Sequence, residues 1–293
     1  MDEEDQVPME QLPTAYEWFQ DQIAGHHQSI VKNGERQVGF LKERGGDLLL
    51  KLVQEGVRGE CEVQVYTRLA ELRNHSTVEE EPESTTDNNE IIIRKLAPLV
   101  PEYFGLTTVC VGNKEREFLK LEDVTGCFRQ PCIMDIKMGK VTYDPLATSE
   151  KATRETSKYP DQKKLGFRIL GYRLHQEGAE VKVANKKWGL SWTAENVSEA
   201  FNDYLQLSND RRSEILAIFN KKLDEIHEWF EEQRAYHFYA SSLLFVYDSA
   251  PVEKGPLADI RMIDFSHTFP AHKSLDQNYT FGLDRIREIF QGL

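Results

Sequence analysis

Ile215, Phe219, Leu223, Ile226 and Phe230 are spaced by steps of 4, 4, 3 and 4, which places all five on one face of a helix. Such a face must be covered, and the sequence supplies apolar partners directly after it. Leu243-Leu244-Phe245-Val246-Tyr247 and Ile260-Arg261-Met262-Ile263-Asp264-Phe265 read as paired strands, followed by a last helix over Leu283 to Phe290. Upstream, Val197, Phe201, Tyr204 and Leu205 mark another helix, and Thr148 to Lys158 a shorter one. The first half is richer in strands. Gln37–Leu41 and Leu48–Leu52 flank the turn Arg44-Gly45-Gly46-Asp47 as a hairpin, and Cys61, Val65, Leu69 and Leu72 mark a helix over Glu60 to Leu72. Further strands are expected at Leu106–Val111, Glu117–Leu121, Ile133–Val141 and Phe167–Leu174. Strands first, helices next and strands again near the end argue for an α+β protein of two lobes.

Charge narrows the function. The chain has 293 residues with 36 Lys plus Arg against 49 Asp plus Glu, a net charge of −13. That balance argues against a general nucleic-acid binder, which needs a basic surface for phosphates. Met1 to about Gln20 is acidic and is expected to be a mobile tail, and the Glu-rich stretch Glu79 to Asn89 a solvated loop. The opening Met-Asp-Glu-Glu-Asp has the wrong sign for a secretory or mitochondrial leader. No apolar run approaches the roughly 20 residues of a membrane span. Cys61, Cys110, Cys127 and Cys132 form no CxxC pair and read as reduced thiols. An intracellular protein, cytoplasmic or nuclear, is therefore expected.

Within this acidic chain lies a basic island. Lys137 to Lys187 holds twelve basic and six acidic residues, suited to drawing a polyanion into a cleft. Lys151, Arg154 and Lys158 are placed at helical spacing on one face. At its start, Asp135 and Lys137 are two apart, so both leave the same side of a strand. A carboxylate and an ammonium at a cleft mouth suit phosphoryl transfer, although by spacing alone an exposed ion pair is the more economical reading.

Three ordered blocks change that reading. Pro131-x-x-x-Asp135-x-Lys137-x-Gly139, Ser241-Ser242-Leu243-Leu244 and Ile263-Asp264-Phe265 resemble the signatures of the inositol polyphosphate kinase family. The likeness runs from Ala24-Gly25-His26 to the last helix and is strongest to the multikinase branch, in Ser149-Glu150-Lys151, Ser157-Lys158-Tyr159-Pro160 and Phe238 to Tyr247. The resemblance implies a two-lobed, protein-kinase-like α+β fold with an antiparallel N-lobe sheet and a mixed C-lobe. Residues 21–124 would form the N-lobe and hinge, and 125–293 the C-lobe, with 148–207 binding the acceptor. ATP and Mg²⁺ are the implied cofactors and inositol polyphosphates the partners, with a phosphoinositide headgroup a further acceptor and a monomer expected.

The resemblance also implies roles. Lys51 would face the nucleotide phosphates with Glu62 as its ion-pair partner, and Glu122, Asp123 and Val124 would form the hinge that reads adenine through the main chain. Asp264 would hold the metal with His267 near metal or substrate, Asp135 would lie by the ribose hydroxyls, and Lys137 would act on the transferred phosphate. Arg58, Lys137, Lys151, Arg154, Glu155, Lys158, Lys186 and His267 would face the acceptor. Asn185-Lys186-Lys187-Trp188-Gly189 is as similar to the hexakisphosphate kinase branch as to the multikinases, so that branch stands as an alternative, as does a scaffold that keeps the fold without catalysis. Thr153-Arg154-Glu155 stands where vertebrate-like multikinases are Gln-rich, so Glu155 departs from their pattern.

Overall fold

The turn at Gly45-Gly46 seeds the first of two antiparallel sheets. In the computed structural model, which describes residues 10–23, 30–32, 34–74, 88–176, 178–250 and 257–293, the chain opens with β1 (Tyr16–Trp18), β2 (Val31–Lys32) and β3 (Glu35–Arg36). The hairpin follows as β4 (Leu41–Glu43) and β5 (Leu48–Leu52), then α1 (Val57–Asn74), α2 (Asn88–Leu96), β6 (Tyr103–Val111) and β7 (Lys114–Glu122). Five strands form the sheet in the order β1-β4-β5-β7-β6. Strand alternation sorts β5: Leu50 and Leu52 join Val38, Leu41, Val109, Val111 and Phe118 on one side, while Lys51 points to the other.

The mobile tail expected through Gln20 gives way sooner. Tyr16 and Trp18 are apolar enough to cover that same side of the sheet, so β1 pairs along β4 from Tyr16 opposite Glu43 to Trp18 opposite Leu41. Residues 1–9 of the tail, Ala24–His26 and the acidic stretch up to Asp87 lie outside the described residues, and Asn88-Asn89 already open α2.

The second half carries β8 (Pro131–Met138), α3 (Ser149–Ser157), α4 (Gln162–Leu165), β9 (Phe167–Leu174), β10 (Lys182–Ala184), α5 (Lys186–Gly189), α6 (Val197–Tyr204) and α7 (Asn209–Glu232). After these come β11 (Tyr236–Phe238), β12 (Ser242–Asp248), β13 (Ala258–Ile263), β14 (Thr268–Pro270) and α8 (Gln277–Gln291). Its sheet runs β10-β9-β8-β12-β13, so the strand bearing Asp135 and Lys137 sits in the middle. The stripe on α7 is covered as its spacing requires: Phe219 meets Phe245 of β12 at 5.2 Å and Phe290 of α8 at 5.8 Å. The main core also takes in Tyr66 and Leu69 of α1 and Leu119 of β7, which fastens the first sheet's helix onto the second half. Among the described residues no helix is long and apolar enough to cross a membrane, and all four cysteines are free.

Gly139 ends the central strand at φ +110°, where a Cβ would come within 2.6 Å of the Asn278 amide and 2.7 Å of the Val141 carbonyl oxygen. Both the backbone angle and the crowding disfavour any side chain. Gly139→Ala is expected to lower stability by roughly 2–4 kcal/mol, read as a lower urea midpoint with an unchanged slope. An unchanged midpoint would mean that this turn yields freely.

Candidate active site

Lys51 leaves β5 on the side away from its apolar neighbours and enters a buried ionic knot. Its Nζ lies 2.6 Å from Oε1 of Glu62 and 2.5 Å from Oδ1 of Asp264. Glu62, on α1, is 0% exposed, and it also accepts hydrogen bonds from the Phe265 N–H at 3.0 Å and the Ser266 hydroxyl at 3.1 Å. One carboxylate thus ties the first sheet to the end of β13. Burial works against the Lys51 charge, but Asp264 and Glu62 override it and hold the ammonium above its ordinary value. Asp264 sits at φ +66°, a region that residues other than glycine rarely adopt, and its side chain keeps 36% of its surface exposed.

On the central strand, Asp135 and Lys137 lie on either side of a register shift in the β8–β9 ladder. Burial first, and the nearby Asp264 carboxylate next, push Asp135 up to about 7, and its Oδ1 is buried without a partner among the described residues. Lys137 stands directly opposite Arg168 on β9 and Ser242 on β12. Two cations facing each other across a ladder repel. Burial and then Arg168 accordingly lower Lys137, although the Asp264, Asp135 and Glu155 carboxylates oppose the shift. Arg168 is itself lowered by burial, and its Nε and Nη1 have no partner among the described residues. Unpartnered buried donors beside a second cation form a cradle for an anion.

α3 lies beside this cradle, capped by the Thr148 side chain on the Lys151 N–H. The face expected to present Lys151, Arg154 and Lys158 is rotated. Lys151 and Glu155, four apart, turn inward, while Arg154 is 68% exposed on its side chain and points away. Lys158 Nζ reaches back to Glu155 Oε1 at 2.5 Å. Lys186, exposed on α5, feels Arg168 and Lys158 as its cationic neighbours. His267 Nδ1 donates to Asp144 Oδ2 at 2.9 Å, the same oxygen that Lys151 Nζ meets at 3.1 Å. Burial, then Lys151, Arg58 and Lys137, lower His267 against the pull of Asp144. Its ring is thus held by Asp144 with Lys151, Arg58 and Lys137 as its cationic neighbours.

The hinge side chains are occupied by structure. Glu122 accepts from Arg261 Nη1 at 3.2 Å and from the Glu102 N–H at 3.0 Å. Asp123 accepts from Lys42 Nζ at 2.7 Å and from the Thr125 N–H at 2.9 Å. What remains for a ligand is main chain, and the Val124 N–H has no partner among the described residues.

Two residues here escape sequence reasoning as site residues. Arg168 carried little signal, being one of two arginines in the otherwise apolar strand Phe167–Leu174. Asp144, buried between Lys151 and His267, had none, since Asp-Pro before a helix reads as an ordinary turn. Among the described residues no group of three or more His, Cys, Asp and Glu could hold a metal alone. Asp264, partly exposed and within Coulombic reach of Asp135, suits a cation whose other ligands come from a bound phosphate chain.

The chain is similar to known proteins over most of its length. A family model described as inositol polyphosphate kinase matches residues 118–291. The chain is 31% identical to inositol polyphosphate multikinase from Mus musculus, over 92% of its own length and 68% of that protein. It is 31% identical to the Homo sapiens multikinase over 85% of its length and spans 59% of that protein. To inositol hexakisphosphate kinase 3 from Mus musculus it is 30% identical, over 64% of its length and 54% of that protein. A crystal structure of inositol phosphate multikinase from S. cerevisiae, in complex with ADP and Mn²⁺, superposes with a TM-score of 0.66 at 25% identity. That match covers 84% of this chain and 99% of the other. A family model spanning residues 118–291 and a relative 31% identical over 92% of the chain show that it belongs to the inositol polyphosphate kinase family of enzymes.

Proposed function

We propose that this chain is an ATP-dependent kinase of soluble inositol polyphosphates, converting tris- and tetrakisphosphates to tetrakis- and pentakisphosphates. Phosphatidylinositol 4,5-bisphosphate is a further acceptor, and the site of action is the cytoplasm or nucleus. The observation that carries the reading is the adjacency of the Lys51–Glu62–Asp264 knot to the Lys137–Arg168 pair. The first holds a charge that meets nucleotide phosphates, and the second offers buried donors to an acceptor phosphate.

Each residue then has a task. The Val124 main chain takes the adenine edge, Lys51 the phosphates and Asp135 a nucleotide hydroxyl. Asp264 would hold a divalent cation, which when bound neutralises phosphate charge. Lys137, shared between the two halves of the site, meets the charge that grows on the transferring group. The acceptor is clamped by Arg168, Lys158, Lys186 and Arg58, with Lys151 and His267 aimed by Asp144.

Calorimetric titration with ATP and Mg²⁺, then with inositol trisphosphate, tests the reading. Saturable heat is expected for both, and nucleotide without acceptor heat would leave a scaffold. Asp144→Ala is expected to lower kcat/KM for the acceptor roughly ten- to hundredfold, because Lys151 and His267 lose the carboxylate that orients them. The KM for ATP should stay put. An equal rise in both Michaelis constants would instead mean a general loss of structure.

A further inference from the structure

Glu155 places a carboxylate inside the cationic wall. Its side chain is only 15% exposed, although α3 has no fully buried residue. Lys158 Nζ lies 2.5 Å from its Oε1 and Arg154 Nε 4.0 Å from the same oxygen. Arg168 from β9 and Lys137 from β8 lie within its Coulombic reach, and so does Lys186 from α5. Three further elements thus aim positive charge at one side chain of α3. A surface ion pair with Lys158 alone would not require that convergence, nor the unpartnered guanidinium nitrogens of Arg168 close by.

We propose that Glu155 is a specificity-determining residue of the acceptor pocket: beside the phosphate place that the unpartnered Arg168 nitrogens offer, it fills the neighbouring place at Lys158, and so selects acceptors that present a hydroxyl there. The inference rests on the function proposed above. A phosphate entering this position meets a carboxylate that already neutralises the surrounding cations. It must displace Lys158 or sit beside like charge, and specificity by repulsion of this kind discriminates strongly. A hydroxyl instead donates a hydrogen bond to the carboxylate, and nothing has to move. Fewer phosphates on the acceptor therefore fit the resident charge, and crowded polyphosphates are turned away.

Binding separates the possibilities without relying on turnover. Inositol trisphosphate and inositol hexakisphosphate are titrated into the full-length wild type, Glu155→Gln and Lys158→Met. In Glu155→Gln the hexakisphosphate-to-trisphosphate affinity ratio is expected to rise about tenfold at low salt, and the rise to shrink as salt screens the wall. Lys158→Met leaves the carboxylate with one cation fewer, so its ratio should fall below wild type. A merely structural role would change both affinities by one common factor and leave the ratios unmoved. Unmoved ratios with a wild type that binds both compounds would overturn the inference alone. A wild type that binds neither would overturn the proposed function and the inference with it.

Discussion

Asp264→Asn is expected to abolish turnover, with a loss of about a hundredfold or more, while the chain stays folded. The carboxylate is the group at the end of β13 that faces both Lys51 and Asp135, and an amide in its place cannot neutralise a cation. The fold survives for two reasons. Asn tolerates the left-handed backbone that Asp264 adopts at φ +66° better than most residues. Lys51 also keeps Glu62 at 2.6 Å, so no buried charge is left alone. Phosphate transfer measured beside a thermal melt checks both halves. Retention of more than about a tenth of the wild-type rate would count against the metal role.

Lys137→Met is expected to separate activity from stability. The rate constant kcat should fall about a hundredfold or more, with little change in the KM for ATP, because the ammonium matters most as the phosphoryl group moves. The melting temperature should not fall. Burial and Arg168 hold Lys137 below the ordinary lysine value, so its charged form is disfavoured in the folded chain. Between that lowered value and the ordinary lysine range the unfolded chain binds the extra proton, and wild-type stability rises with pH. The advantage of the methionine variant should therefore be largest near neutrality and narrow in alkali. A pure KM effect would place Lys137 in ground-state binding instead.

Much of this architecture is legible in the sequence because its signals are long or doubly constrained. The α7 stripe and the strand Phe167–Leu174 stand where spacing and composition put them. Shorter signals were masked. Tyr16–Trp18 hides in acidic sequence, and its strand exists only because β4 offers an edge to pair with. α8 begins at Gln277, well before Leu283, since its start is set by Asp276 accepting from the Tyr279 N–H and not by apolar spacing. In the site, Lys51 and Glu62 are legible as a strand lysine and a helix acid. The inward turn of Glu155 and the outward turn of Arg154 are not, because neighbouring positions on a short polar helix differ by how it docks. Asp144 and Arg168 gain meaning only from what lies across from them, Lys151 and His267 in one case and Lys137 in the other.

The central claim is transfer of phosphate from ATP to an inositol ring, and product identification tests it most directly. Purified protein is incubated with ATP, Mg²⁺ and a panel of inositol polyphosphates, and the products are resolved by anion exchange and assigned by phosphorus NMR. Tetrakis- and pentakisphosphates should form from trisphosphate with matching release of ADP, and Asp264→Asn should form neither. Saturable ATP binding with no new phosphate on any inositol compound would contradict the account and leave a nucleotide-binding scaffold in its place.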